Sequence, residues 1–247
     1  MKRQNILIIG LGISGLGAVK LAKHLKHNVR VSSKDLIAES DKNILNLLGV
    51  DFEEGVNTLS YLKWTDLIIK SPGVPASIPL LKSARIQEIT IISEIEFAYR
   101  CTNARIIAIT GTNGKTTTTK ILWHILQNTS LNVGLAGNIG ISFSETIIEN
   151  NFDYYVLELS SYQLETTVTF RPNQAVFLPI TPDHLVRHQT MDNYSFQKSK
   201  LVQAQVLDDD LFYLEDDLTV QSIVLKSIAK KHGVTLADGD GFSHQLL

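Results

Sequence analysis

Residues 104–120, ARIIAITGTNGKTTTTK, constrain the fold more than any other stretch of the chain. An apolar, β-branched run leads into Gly-Thr-Asn-Gly-Lys-Thr and then into helix formers, the grammar of a strand, a phosphate loop and a helix. Such a loop points successive backbone N–H groups and a helix N-terminus at phosphate oxygens; a lysine offsets their charge and a hydroxyl reaches magnesium. Gly111, Gly114, Lys115 and Thr116 supply those parts, with Thr112, Asn113 and Thr117 in the same turn. The common spacing G-x-x-x-x-G-K-S/T would place a glycine at 109, where Ile109 stands. This loop is therefore shorter than the common kind.

The rest of the chain repeats that grammar in two α/β blocks. In the first, NILIIG (5–10) reads as a strand, 14–27 has helical spacing, NVRVSS (28–33) is a second strand, and DLIIKSPGVP (66–75) ends another at a Pro/Gly turn. In the second, RIIAIT is followed by a helix from Lys115 to about Asn128, then by NVGLAG, DYYVLELS, QAVFLPIT, LFYLED and VTLAD as strands. Repeated βαβ units imply parallel sheets. The fold class expected is α/β, with a Rossmann-like domain over 1–98 and a phosphate-loop domain with a mainly parallel sheet over 99–247, the blocks meeting at FAYRCTNA.

Composition narrows the function. With 247 residues and 44% hydrophobic content, the chain can bury a real core. A formal charge of -2, with no Lys/Arg runs between the aromatic residues, disfavours nucleic acid as the main partner. No apolar run approaches the roughly 20 residues of a membrane span, and the first residues run straight into a strand, so a cytoplasmic protein is expected. One cysteine, Cys101, rules out an internal disulfide and reads as a buried small residue.

GLGISG (Gly10, Gly12, Gly15) follows a strand and opens a helix, the context in which glycines let phosphates approach helix amides. Three readings stay open: a NAD(P) site, a structural turn, or the pyrophosphate of another nucleotide. A NAD site would want an acid ending the second strand, where Ser32 and Ser33 stand, with Asp35 two residues on. In the second block, Glu158 ends an apolar strand, where a carboxylate is costly unless paired or metal-bound. Asp183 and His184 follow the next strand at the ligand-binding end of such sheets. Lys198, by itself, reads as a solvated helix position, the acids at 208–210 and 215–217 as solvated turns, and His232 and His244 stay unassigned.

Taken together, ITGTNGKTTT, GNIG (137–140), ELSSYQL (158–164), TPDHL (181–185) and Tyr194-x-x-x-Lys198, in this order, resemble the Mur ligase family of ATP-dependent amide-bond-forming enzymes. With GLGISG and SPGVP (71–75), the resemblance is closest to the branch that joins D-glutamate to UDP-N-acetylmuramoyl-L-alanine in peptidoglycan synthesis. It implies that the first block holds the sugar nucleotide through Gly12, Ser14, Gly15, Ser33, Ser71 and Gly73. It further implies that Lys115 contacts the β- and γ-phosphates of ATP, that Thr116 and Glu158 hold one magnesium, and that His184 and a carbamylated Lys198 serve a second. Asn138 and Ser160 would contact the muramoyl substrate. Lys115, His184 and Lys198 are thus the implied catalytic residues.

Three positions depart from the family pattern: Pro179 stands for an asparagine, Val186 for an acid, and Ser33 for an acid near the uridine nucleotide. The family pattern also continues beyond LADGDGFSHQLL into a third domain that binds the incoming amino acid. The expectation is an incomplete ATPase domain, marginal stability or self-association, and little turnover unless a carboxyl-terminal domain is supplied in trans. A family-derived protein that binds sugar nucleotide or ATP without ligation is the alternative.

Overall fold

The computed structural model describes residues 2–149 and 152–235. Its first elements are β1 (Asn5–Ile9), α1 (Ile13–His24), β2 (Asn28–Ser33), α2 (Glu39–Leu47), β3 (Asp51–Glu54), a 3-10 turn (Leu59–Trp64), β4 (Leu67–Lys70), α3 (Pro79–Ile86), β5 (Thr90–Ser93) and α4 (Glu94–Tyr99). Then follow β6 (Arg105–Thr110), α5 (Lys115–Gln127), β7 (Val133–Gly137), α6 (Phe143–Glu149), β8 (Tyr154–Glu158), α7 (Ser161–Leu164) and β9 (Gln174–Phe177). The last are α8 (Leu185–His188), α9 (Met191–Ser199), β10 (Asp210–Leu214), α10 (Leu218–Val224) and β11 (Lys230–Val234).

These elements form two compact units. Among the described residues the first comprises 2–102, 140–149 and 166–168, and the second 103–139, 152–165 and 169–235. The first unit carries a sheet in the order β3-β2-β1-β4-β5. Leu7 of β1 lies opposite Arg30 of β2 and Ile68 of β4, all strands parallel. This is the Rossmann-like order, with β1 central and its carboxyl end opening into the glycine turn. β1 is buried on both faces, as a parallel sheet covered by helices requires. On one face Leu7, Ile9 and Ile68 pack with Leu62, Leu80, Leu81 and Ala84. On the other lies α1, which also packs on α4 and α6. Each fully buried Leu or Ile there contributes about 1.5–3 kcal/mol. α6 lies between β7 and β8 in sequence yet packs in the first unit, where Gly17 leaves room for Ser142: a Cβ at 17 would sit 1.9 Å from the serine Oγ.

In the second unit the order is β11-β10-β9-β6-β8-β7, again wholly parallel. Ile109 of β6 lies opposite Glu158 of β8 and Val176 of β9, so Glu158 ends its strand beside the loop that follows Thr110. Ile107, Ile109, Val133 and Val156 form a core under α5, joined by the half-buried Leu122, Trp123 and Leu126.

Several expectations are corrected. β3 and β5 are short strands that the apolar pattern did not reveal, because DFEE has no apolar alternation and TIIS is only four residues long. The last strand starts at Lys230, four residues before VTLAD; its two exposed lysines suit a sheet edge, and 236–238 lie outside the described residues. Of the acids at 208–210 and 215–217, Asp208 and Asp216 are exposed as expected, but three others have structural partners. Asp209 is buried in a two-pronged pair with Arg171 (2.7 and 3.1 Å), Asp210 meets the previously unassigned His232 at 2.8 Å, and Asp217 caps α10. His244 lies outside the described residues. Cys101 is half-buried, its thiol pushed up to about 11 by burial, which disfavours the thiolate at neutral pH. No helix among the described residues is long and apolar enough to cross a membrane.

Candidate nucleotide sites

In the first unit the turn between β1 and α1 is built for close approach. A Cβ at Gly15 would lie 2.2 Å from the carbonyl oxygen of Gly10, so only glycine fits there. Gly12 differs: a Cβ there would meet nothing within 4 Å. Gly12 is the N-cap of α1, no side chain caps that helix, and its first turn has no acid. The amides at this end thus have no internal acceptor from a cap, and the helix dipole favours an anion in front of them.

Ser71, Gly73, Ser14 and Ser33 surround the carboxyl end of this sheet. Ser71 Oγ donates to the Gly10 carbonyl at 2.7 Å, which ties the SPGVP loop to the glycine turn. Ser33 Oγ donates to the Asp35 carbonyl at 2.8 Å, so this buried serine organises the loop after β2. Beside it, Ser32 Oγ donates to Glu53 Oε1 at 2.7 Å. A hydroxyl thus occupies the position where an acid would serve a NAD ribose.

In the second unit, α5 begins at Lys115 behind Gly114, whose φ of 80° is left-handed and favours glycine. Again no side chain caps the helix and no acid stands in its first turn. Lys115 Nζ donates to the Thr112 carbonyl at 2.7 Å, curling over the loop it belongs to. Thr112 Oγ1 bonds the Thr181 carbonyl and accepts from the Thr181 amide, each at 3.0 Å, and lies 3.2 Å from the Tyr194 hydroxyl.

Glu158, 1% exposed, is the acidic group of this site. Thr116 Oγ1 donates to its Oε2 at 2.7 Å and Asn138 Nδ2 to its Oε1 at 2.8 Å. The Asn138 amide also donates to the Glu158 carbonyl at 2.8 Å, which fixes the GNIG turn to the end of β8. Ser160 is the N-cap of α7 in a reciprocal capping box with Gln163.

Lys198 is buried, contrary to its reading as a solvated position. α9 packs on α7, α8 and α10, and its weakly amphipathic sequence hides which side faces inward. Lys198 Nζ donates to the Gly111 carbonyl at 2.7 Å and lies 4.7 Å from the centre of the Tyr194 ring. Burial, then the charge of Lys115, lower its pKa to about 7, against an opposing pull from Asp183. His184 is about half exposed, its Nε2 3.3 Å from Asp183 Oδ2. It makes no hydrogen bond to Thr116, Glu158 or Lys198 but shares the Tyr194 ring with Lys198, 6.2 Å between ring centres.

The described residues contain no cluster of three His, Cys, Asp or Glu side chains able to hold a metal alone. A magnesium held by Thr116 Oγ1, one Glu158 oxygen and nucleotide phosphates fits, since that ion keeps few protein ligands beside phosphates and water. The Lys198 ammonium repels a cation, so a site there requires its neutral or modified form. Sequence reasoning missed Thr112 as a hub, and it missed Ser161 and His188. Ser161 Oγ and His188 Nε2 are buried and 3.0 Å apart, a pair 27 residues apart in sequence without any periodic signal.

Family models match both parts of the chain. The family model described as Mur ligase middle domain matches residues 109–242, and that described as Mur ligase MurD-like N-terminal domain matches 4–93. The UDP-N-acetylmuramoylalanine–D-glutamate ligase of Bacteroides thetaiotaomicron is 44% identical over 94% of this chain and 52% of its own length. That of Thermoanaerobacter sp. is 38% identical over 92% of this chain and 51% of its own. The chain thus spans about half the length of these relatives. Among solved structures, the UDP-N-acetylmuramate:L-alanyl-gamma-D-glutamyl-meso-diaminopimelate ligase of Neisseria meningitides superposes with a TM-score of 0.63 at 19% identity. It covers 99% of this chain and 85% of its own. The UDP-N-acetylmuramate–alanine ligase MurC of Thermotoga maritima gives 0.53 at 18%, over 94% of this chain and 54% of its own. At these identities the structural likeness concerns the fold alone.

Proposed function

Since this chain belongs to the Mur ligase family, we propose that it carries the sugar-nucleotide and ATP sites of a ligase that joins D-glutamate to UDP-N-acetylmuramoyl-L-alanine in the cytoplasm. The observation that carries the reading is the uncapped α5 N-terminus behind Gly114, with Lys115 over the loop and Thr116 2.7 Å from Glu158. Amides, a cation and a carboxylate-bound hydroxyl together suit a magnesium-bound triphosphate.

The reaction follows from the need to activate a carboxylate. The alanyl carboxylate oxygen attacks the γ-phosphorus and ADP leaves; the D-glutamate amine then attacks the acyl carbon, phosphate departs and the nitrogen loses a proton. Magnesium at Thr116 and Glu158 would spread charge from the β- and γ-phosphates. Lys115 and the amides of residues 113–117 orient and neutralise the transferring group, mainly by position and electrostatics. Asn138 holds one oxygen of Glu158 and so directs the other toward Thr116. Lys198, with a pKa near 7, presents the neutral amine that carbon dioxide requires, which supports carbamylation and, with His184, a second magnesium. Ser160 and Asn138 are the proposed contacts to the muramoyl group. In the first unit the α1 N-terminus, Gly12, Ser14 and Gly15 take the pyrophosphate of the uridine nucleotide. Ser33, Ser71 and Gly73 shape the flanking loops.

The test is phosphate release with magnesium, ATP and UDP-N-acetylmuramoyl-L-alanine, with and without D-glutamate, and with or without a separately produced carboxyl-terminal half of a relative. Release that requires D-glutamate and is lost in Lys115→Ala is expected when both halves are present. Nucleotide binding without release under every condition would favour the alternative, a binding protein that completes no amide bond.

A further inference from the structure

Four non-glycine residues among those described have left-handed backbones: Lys26, Glu88, His184 and Gln189. Lys26 and Glu88 follow α1 and α3, an ordinary way to end a helix. His184 (φ 53°) and Gln189 (φ 68°) instead bracket the single turn of α8. A strained conformation at both ends of one short turn persists only where surrounding contacts over-determine it.

Those contacts converge on His188, which is 2% exposed. Its Nε2 lies 3.0 Å from Ser161 Oγ, and its ring stacks on Tyr162 at 5.2 Å and lies 5.3 Å from Tyr194. Its carbonyl accepts from Asn193 Nδ2 at 2.8 Å. The preceding residue, Arg187, forks onto Glu165 at 2.9 and 3.2 Å. Ser161 itself is fixed, because it is the first residue of α7 after the Ser160 capping box and three residues beyond Glu158. Tyr162 and Tyr194, which flank His188, also flank His184, with ring centres 5.0 and 6.2 Å away.

We propose that the buried Ser161–His188 pair is a positioning device that holds α8 against α7 and thereby keeps His184 in its left-handed backbone, its imidazole aimed along the Tyr162 and Tyr194 rings. The device references His184 to the strand end that carries Glu158, so the two are set by one rigid segment. This rests on the reading of His184 as a group that serves the metal-nucleotide site; Ser161 and His188 touch neither substrate nor metal in that reading.

The test uses the whole chain with 13C-labelled histidine, the His184 resonance being assigned by its loss in His184→Ala. Ser161→Ala and His188→Phe should each move the His184 signal toward that of free histidine. His188→Gln, which restores an amide to face Ser161, should return it toward the wild-type position. A His184 signal unchanged in both Ser161→Ala and His188→Phe overturns the proposal. If His188→Phe does not fold, Ser161→Ala, which removes one oxygen atom, decides alone. Manganese binding with a non-hydrolysable ATP analogue is measured in parallel. Loss of affinity in His184→Ala and, to a smaller degree, in Ser161→Ala is expected. Full manganese affinity in His184→Ala would overturn the metal reading, while the histidine signals would still decide the positioning role.

Discussion

Lys198 Nζ donates to the carbonyl oxygen of Gly111 at 2.7 Å, across 87 residues of sequence. The bond anchors α9 to the start of the phosphate loop and buries an amine beside a second lysine. Desolvation and the repulsion of Lys115 both disfavour its charge, hence a pKa near 7 rather than the usual 10.5.

With its pKa lowered to about 7, a larger share of the Lys198 amine is neutral at pH 8 than at pH 6. Only the neutral amine reacts with carbon dioxide. We predict a carbamate carbon resonance in protein equilibrated with 13C-bicarbonate at pH 8, weakening below pH 7 and missing in Lys198→Arg. A wild-type spectrum without that signal would sink the proposed carbamylation.

Thr116 Oγ1 lies 2.7 Å from Glu158 Oε2, and the two are the proposed ligands of the first magnesium. Glu158→Gln keeps the shape and removes the charge, so binding of magnesium-ATP should weaken about 10²-fold while magnesium-free nucleotide changes little. Calorimetric titration with and without magnesium measures the difference, and equal affinities in wild type and variant would exclude Glu158 as a ligand.

The glycine turn of the first unit separates space from stability. Gly12→Ala adds a methyl that meets no protein atom within 4 Å, so the loss in stability should be at most about 1 kcal/mol. Affinity for UDP-N-acetylmuramoyl-L-alanine should nonetheless fall, because the methyl occupies the approach to the α1 amides. Gly15→Ala drives a Cβ to 2.2 Å from the Gly10 carbonyl and should cost about 1–3 kcal/mol as the turn moves. Denaturant melts with ligand titrations distinguish the two; undiminished affinity in Gly12→Ala would contradict a pyrophosphate there.

Glu94 provides a pH dependence independent of the nucleotide sites. Burial raises its pKa to about 7, although its Oε1 accepts from the Ser144 amide at the start of α6, and its Oε2 has no hydrogen-bond partner. A folded pKa above the unfolded value of 4.5 means that the folded state holds the proton longer. Its contribution to stability is therefore complete below about pH 4.5 and lost as the pH rises through about 7. The stability difference between wild type and Glu94→Gln should change by roughly 2–4 kcal/mol between pH 4.5 and 8. A pH-independent difference would show that Glu94 ionises as readily folded as unfolded.

The sequence by itself determined the strands that are continuously apolar, the two glycine turns and the order of the site motifs. Parallel strands covered on both faces must be apolar throughout, and phosphate loops need glycine and lysine at fixed offsets, so both leave local signatures. NILII, RIIAIT, GLGISG and GTNGKT all fall where their patterns place them. Short or polar strands such as DFEE carry no such mark and form only because a neighbour offers a ladder edge. Tertiary structure alone decided that Lys198 is buried against Gly111, that Asp209 closes on Arg171, and that Ser161 meets His188. A charged or polar residue becomes buried when distant segments bring it a partner, and nothing local to Lys198, Asp209 or His188 specifies that partner.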